Sequence, residues 1–192
     1  MDITKLVKEN IYEHNQLFNN LDKKFLSDIE NVGKLIADGL KTGSTIFWFG
    51  NGGSASDAQH LSAELVGRFK KSRKPLRSIA LSSDTSLITC IANDFSFTDI
   101  FSRQVEALAR KNDILIGIST SGKSKNIINA FEVSNKLNLK SIALLGKDGG
   151  EAISICTNFI LVPSHTTARI QECHIMIGHI ICDIIETELG LN

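Results

Sequence analysis

Basic excess, proline and long apolar runs are all scarce in this chain of 192 residues. Lys plus Arg number 21 and Asp plus Glu number 21, so the formal net charge is zero. Nucleic-acid binders usually carry a basic surplus, and none is present to suggest such a partner. No apolar run approaches the ~20 residues of a membrane-spanning helix. The opening MDITKLVKEN lacks the basic-then-apolar layout of a secretory signal. Only Pro75 and Pro163 interrupt the chain, and neither a low-complexity linker nor an internal repeat is visible. Cys90, Cys156, Cys173 and Cys182 form no CxxC pair and lie in apolar stretches, where small buried thiols are common. These absences predict a cytoplasmic protein with reduced cysteines, no membrane contact and no nucleic-acid partner. They also predict one domain over residues 1–192.

Hydrophobic residues make up 42% and charged residues 22%, ordinary for a soluble globular chain with one substantial core. From Ile3 to Leu40 the apolar positions recur at helical spacing: Ile11, Leu17, Leu21, Phe25, Ile29, Val32, Ile36 and Leu40 among them. This predicts two amphipathic helices within residues 1–42, ended by Gly43. Beyond that point short apolar runs appear at 45–49, 78–81, 114–118, 141–145 and 159–162, with helix-like segments between them. Buried parallel strands read this way. The expected fold over 43–192 is therefore an α/β core: a doubly wound, flavodoxin-like, five-stranded parallel sheet flanked by helices. Ligands in such folds bind beyond the carboxyl ends of the strands, where the strand order reverses. The loops after the first, second, third and fifth strands are the ones to inspect.

The first of these is Gly50-Asn51-Gly52-Gly53-Ser54-Ala55-Ser56. Its glycines allow a tight turn and close backbone approach to a ligand, with free N–H groups of the next helix facing it. A plain strand-to-helix turn would look similar, and the G-x-G-x-x-G spacing of dinucleotide binding is absent. After the third strand, Ser119, Thr120, Ser121 and Ser124 crowd a helix start. One N-cap needs one hydroxyl, so this surplus favours an anion site, in keeping with the positive end of a helix. The same stretch, GISTSGKS, also fits the G-x-x-x-x-G-K-[ST] loop of nucleotide hydrolases, which would further require a magnesium-binding Asp at another strand end.

Two helices add candidate metal chemistry. His60 and Glu64 stand at i, i+4, a spacing used by zinc ligands and, more often, by ordinary surface pairs. The last helix, expected over 166–188, carries Gln171, Glu172, His174 and His179 among isoleucines and cysteines. A histidine there is usually a satisfied core residue. Gln171 and His179 are separated by about 12 Å of helix rise, so they share one metal only through extended side chains. Asn93 and Asp94, placed after a helical run from Thr85, add polar groups at the same rim.

Taken together, GNGGSASDAQHLSAEL, IANDFSFTDIFSRQVEAL, GISTSGKSKNII, LLGKDGG and ARIQECHIMIGHI resemble a sugar isomerase (SIS) domain, and specifically the phosphoheptose isomerase family. The stretches occur in order and cover most of the chain beyond Gly43. The resemblance implies aldose–ketose isomerisation of sedoheptulose 7-phosphate to D-glycero-D-manno-heptose 7-phosphate, in a homotetramer with one zinc per subunit. It implies phosphate contacts from Ser119, Thr120, Ser121 and Ser124, and sugar contacts from Asn51, Gly52, Gly53, Glu64, Asn93, Asp94 and Gln171. It implies zinc ligation by His60, Glu64, Gln171 and His179, with Glu64 and His179 as the acid–base groups. The heptose would serve lipopolysaccharide or capsule biosynthesis. Ala168 stands where some members carry an acidic residue, so no carboxylate role is expected there. Non-catalytic relatives that bind the bacterial replication initiator lack the residues matching Glu64 and His179. Both are present here, which separates the enzyme from the alternative of a sugar-phosphate-binding or initiator-binding module.

Overall fold

The computed structural model describes residues 2–191, which form eight α-helices and five strands. Two helices come first, α1 (Ile3–Asn19) and α2 (Lys23–Lys41), each begun by an aspartate side chain. Asp2 accepts from the Thr4 N–H and Asp22 from the Phe25 N–H, at 2.9 and 2.7 Å. Such caps satisfy amides the helix cannot pair itself. Gly43, at φ +89, closes the helical region as expected.

The sheet then alternates with helices: β1 (Ile46–Gly50), α3 (Gly53–Val66), β2 (Ser78–Ala80), α4 (Thr85–Asp94) and α5 (Ser102–Leu108). There follow β3 (Ile114–Ser119), α6 (Lys125–Lys136), β4 (Lys140–Leu145), α7 (Ala152–Ile155), β5 (Asn158–Leu161) and α8 (Thr167–Glu188). All pairings are parallel, in the order β2-β1-β3-β4-β5. The order reverses between β1 and β3, so the crevice opens where the loops after those two strands meet.

Alternation along the strands divides the interior into two cores. Ile46, Trp48, Ile114, Ile116, Ile142 and Leu144 face α2, α3 and α8. Phe47, Phe49, Leu115, Ala143 and Leu145 face the helices of the other side, where Phe101, Val105, Ile127 and Phe131 meet them. On α2, Phe25, Ile29, Val32 and Ile36 make one buried stripe, the i, i+4, i+7 pattern of a core-facing helix. α1 buries no residue.

Three expectations need correction. β2 is not a buried strand: as an edge it leaves Ile79 exposed. Cys90 is exposed and Cys156 only partly buried, whereas Cys173 and Cys182 are buried; all four are free. Cys90 sits on α4, whose only buried residue is Ile91, so its apolar neighbours do not cover it. Asn93 and Asp94 belong to the last turn of α4 rather than to the loop after it. Among the described residues, no helix is long and apolar enough to cross a membrane.

Candidate active and metal site

The two loops at the reversal of strand order are tied together by their side chains. Asn51 and Asn126 exchange amide hydrogen bonds, Asn51 Nδ2 to Asn126 Oδ1 at 2.9 Å and Asn126 Nδ2 to Asn51 Oδ1 at 2.8 Å. Asn126 is buried in the first turn of α6. Nothing in the sequence pattern singled it out. The sugar contact expected of Asn51 therefore falls on an amide that already braces the crevice.

In the loop after β3, the Gly122 N–H donates to Ser119 Oγ at 3.0 Å, and the Lys123 N–H to Ser121 Oγ at 3.3 Å. Ser124 takes the N-cap position of α6, yet its hydroxyl makes no capping hydrogen bond. A serine used only as a cap would accept from the amides of the first turn. Here the hydroxyl is left over at the positive end of a twelve-residue helix. Lys123 is exposed and its Nζ pairs with Asp148 at 3.0 Å. It is thus turned to the neighbouring loop, not folded over the helix start as a nucleotide-binding loop would need.

That neighbouring loop, after β4, was not among those singled out from the strand order. Gly122, at φ +63, packs so closely on it that a Cβ would lie 1.9 Å from Gly149 O. The Ala152 N–H donates to Gly122 O at 3.0 Å. The LLGKDGG stretch is therefore the floor beneath the hydroxyl-bearing loop.

The metal candidates converge where α3 and α8 run side by side. His60 Nε2 lies 3.1 Å from Glu64 Oε1 and 3.5 Å from His179 Nε2, and the ligand atoms of the three residues all lie within 4.8 Å of one another. Two imidazole nitrogens and a carboxylate oxygen suit zinc, and ligand atoms on a tetrahedral zinc stand about 3.3 Å apart. The donor set therefore fits. Gln171 also lies on the α3–α8 seam, but higher. Its Nε2 would be 2.9 Å from a Cβ on Gly53, and the seven residues from Gly53 to His60 rise about 10 Å. Glu64 and His179 are partly buried and His60 is exposed, so the cluster stands at an accessible rim.

Two further groups frame the cluster. Asp57 lies one turn before His60 on α3; burial pushes its carboxyl above the usual range, against the opposing pull of His60 and His179. The Phe69 ring stacks on His179, centroids 5.6 Å apart at 22°. Sequence reasoning missed both: the i, i+3 spacing from His60 could have found Asp57, whereas Phe69 lies outside any helix and no spacing marks it. Asn93 and Asp94 are exposed and hydrogen-bond to each other at 2.7 Å. Their recorded partners lie within α4, so the structure does not bind them to the crevice. His174 is fully buried and its Nε2 donates to Leu145 O, 3.0 Å away. Since a carbonyl only accepts, Nε2 carries the proton. Burial pulls the His174 pKa down to about 4, so it is a neutral core residue.

Comparison with known proteins shows the family. The SIS domain family matches residues 11–146. A phosphoheptose isomerase of Nitratiruptor sp. is 50% identical over 180 residues, spanning 94% of this chain and 96% of that protein. The structure of a phosphoheptose isomerase from Neisseria gonorrhoeae superposes with a TM-score of 0.91 at 37% identity, covering 96% of this chain and 99% of that one. That of a phosphoheptose isomerase from Francisella tularensis gives 0.91 at 34% identity, covering 97% and 100%.

Proposed function

This chain belongs to the SIS domain family and, within it, to the phosphoheptose isomerases, and from that membership we propose that it isomerises sedoheptulose 7-phosphate to D-glycero-D-manno-heptose 7-phosphate. The observation that carries the mechanism is the meeting of His60, Glu64 and His179 beside a crevice whose other wall is rich in hydroxyls. In this reading residues 1–192 act as one domain, since α2 and α8 share the core of the sheet.

The substrate phosphate would sit at the start of α6 against Ser119, Thr120, Ser121 and Ser124. The uncommitted Ser124 hydroxyl and the helix N-terminus support this. Asn51, Gly52, Gly53, Asn93, Asp94 and Gln171 would line the sugar chain. Of these, Gly53 and Gln171 are in contact, which favours a wall formed by α3 and α8 together. The metal cluster is offset along α3 from Gly53, so phosphate binding positions the far end of an extended substrate.

The reaction moves a proton between adjacent carbons through an enediol. Glu64 would take the carbon-bound proton, and His179 would carry protons between O1 and O2. His60, Glu64, His179 and, after a side-chain swing along the seam, Gln171 would hold zinc. When bound, zinc would polarise the substrate carbonyl as a Lewis acid. A carboxylate tightly held as a ligand is a weaker base, so the two roles given to Glu64 would compete.

Four copies would assemble the enzyme. Ile3, Val7, Ile11 and Tyr12 on α1 are 73%, 52%, 56% and 64% exposed, an apolar surface suited to burial against other copies. The setting would be the cytoplasm, and the product would feed lipopolysaccharide or capsule biosynthesis.

Proton NMR in D₂O tests the reading. With zinc present, sedoheptulose 7-phosphate should give the aldose with solvent deuterium at C2; chelation should stop this and zinc restore it. Turnover that survives complete chelation would remove zinc from the reaction. No turnover by the folded, zinc-supplied protein would leave a sugar-phosphate-binding or initiator-binding module in place of an isomerase.

A further inference from the structure

Residues 67–75 leave the end of α3, pass over the seam and return to β2. They are pinned by a buried ion pair. Arg73 Nε donates to Glu186 Oε1 at 2.8 Å, and the two side chains are 2% and 0% exposed. Charges removed from water persist only when every polar atom is partnered, and here they are. The same Glu186 carboxylate accepts from the Phe69 and Lys70 N–H groups at 3.4 and 3.3 Å. Burial would raise its pKa, but the Arg73 bond and these two amides outweigh that and hold it below the usual value.

The other face of Arg73 closes α3. Its NH2 donates to Glu64 O and its NH1 to Leu65 O, both at 2.8 Å. Carbonyls of a last helical turn have no partner within the helix, and α3 ends at Val66. Leu65 O also accepts from the Leu76 N–H at 3.0 Å, so it is the Glu64 carbonyl that depends on the guanidinium. The strap thus holds Glu64 by its backbone. It holds His179 by its ring, through the Phe69 stack. Its anchor, Glu186, stands seven residues after His179 on α8, two turns along the same face.

We propose that Arg73 and Glu186 are positioning residues for the isomerase site, a buried pair that locks the 67–75 strap onto α3 and α8 so that Glu64 and His179 meet His60 at ligand distance. The pair touches neither substrate nor metal. It acts through the Glu64 carbonyl and the Phe69 ring. The assignment rests on the reading of Glu64, His60 and His179 as the metal and acid–base groups.

The test uses the full chain as wild type, Glu186→Gln and Phe69→Leu. Zinc affinity is measured by competition with a chromogenic chelator, and kcat and KM on sedoheptulose 7-phosphate, with folding followed by circular dichroism. Outer-shell changes typically cost about 10- to 100-fold in metal affinity or activity. Folded Glu186→Gln should lose zinc affinity and kcat on that scale while KM stays within about twofold. Zinc affinity and kcat both within about twofold of wild type, or a change in KM alone, would overturn the proposal. If Glu186→Gln does not fold, Phe69→Leu decides: lower zinc affinity and kcat at unchanged KM uphold the strap, and wild-type values refute it. A wild type inactive on the sugar phosphate would refute the isomerase; a weaker zinc affinity in Glu186→Gln would still uphold the strap.

Discussion

Asn51 and Asn126 hydrogen-bond to each other twice, amide to amide, across the point where the strand order reverses. The pair joins the loop that opens α3 to the helix that follows the hydroxyl cluster. Each amide is both donor and acceptor, so no single-atom change preserves it. Asn126→Asp keeps the size but leaves Asn51 Oδ1 facing a carboxylate oxygen and adds negative charge beside the proposed phosphate site. Stability should fall by about 1–3 kcal/mol, and KM for sedoheptulose 7-phosphate should rise more than kcat falls. Thermal melts and steady-state kinetics check both; an unchanged KM would detach the pair from the phosphate site.

Ser124 allows the anion site to be separated from a helix cap. A capping serine contributes about 1 kcal/mol to stability, but this hydroxyl caps nothing. Ser124→Ala should therefore shift stability by no more than about 0.5 kcal/mol. A hydrogen bond to a charged phosphate is worth roughly 1.5–3 kcal/mol, so KM should rise about tenfold or more. A lower melting temperature with unchanged KM would return Ser124 to a capping role.

The strands and the helices were readable in the sequence because each rests on local spacing, whereas the ligand set came from the family resemblance. Runs such as 114–118 lie within one residue or so of the observed β3, and the His60–Glu64 spacing does bring the two side chains together. What was not readable depends on contacts between distant segments. Asn126 is 75 residues from Asn51, and Arg73 is 113 from Glu186; no periodicity encodes such pairs. Cys90 has apolar neighbours in sequence but lies on the open side of α4, since periodicity shows that a face exists and not what covers it. For Gln171 and His179, eight residues apart, spacing alone was weak evidence. The third residue, His60, comes from another helix.

The glycines where the hydroxyl loop meets its floor offer a test that divides the two halves of the site. Gly122 and Gly150 both have φ in the left-handed region, +63 and +53. A Cβ on Gly150 would lie 2.5 Å from Ser121 O. Gly150→Ala therefore combines backbone strain of about 1–3 kcal/mol with overpacking of similar size. The displaced loop should bind inorganic phosphate several-fold more weakly, measured as competitive inhibition. Zinc affinity should be retained, because the His60–Glu64–His179 cluster is borne by α3 and α8. Loss of both together would mean that the two halves do not move independently.

His174 predicts how stability responds to acid. Burial lowers its pKa from 6.5 to about 4, although the Leu145 hydrogen bond pulls the other way. Between those values the unfolded chain binds the proton and the folded chain does not. Stability contributed by neutral His174 is therefore complete above pH 6.5, declines as pH falls toward 4, and levels off below it. The full loss is roughly 3 kcal/mol. Glu186, whose pKa is held below 4.5, contributes only in a lower window. His174→Gln keeps a donor amide for Leu145 O but has no proton to gain. In urea unfolding from pH 7 to 4, the variant should lose less stability than the wild type, with the two curves converging between pH 6.5 and 4. Parallel curves would mean that His174 is protonated inside the fold, and that the core beside β4 admits a charge.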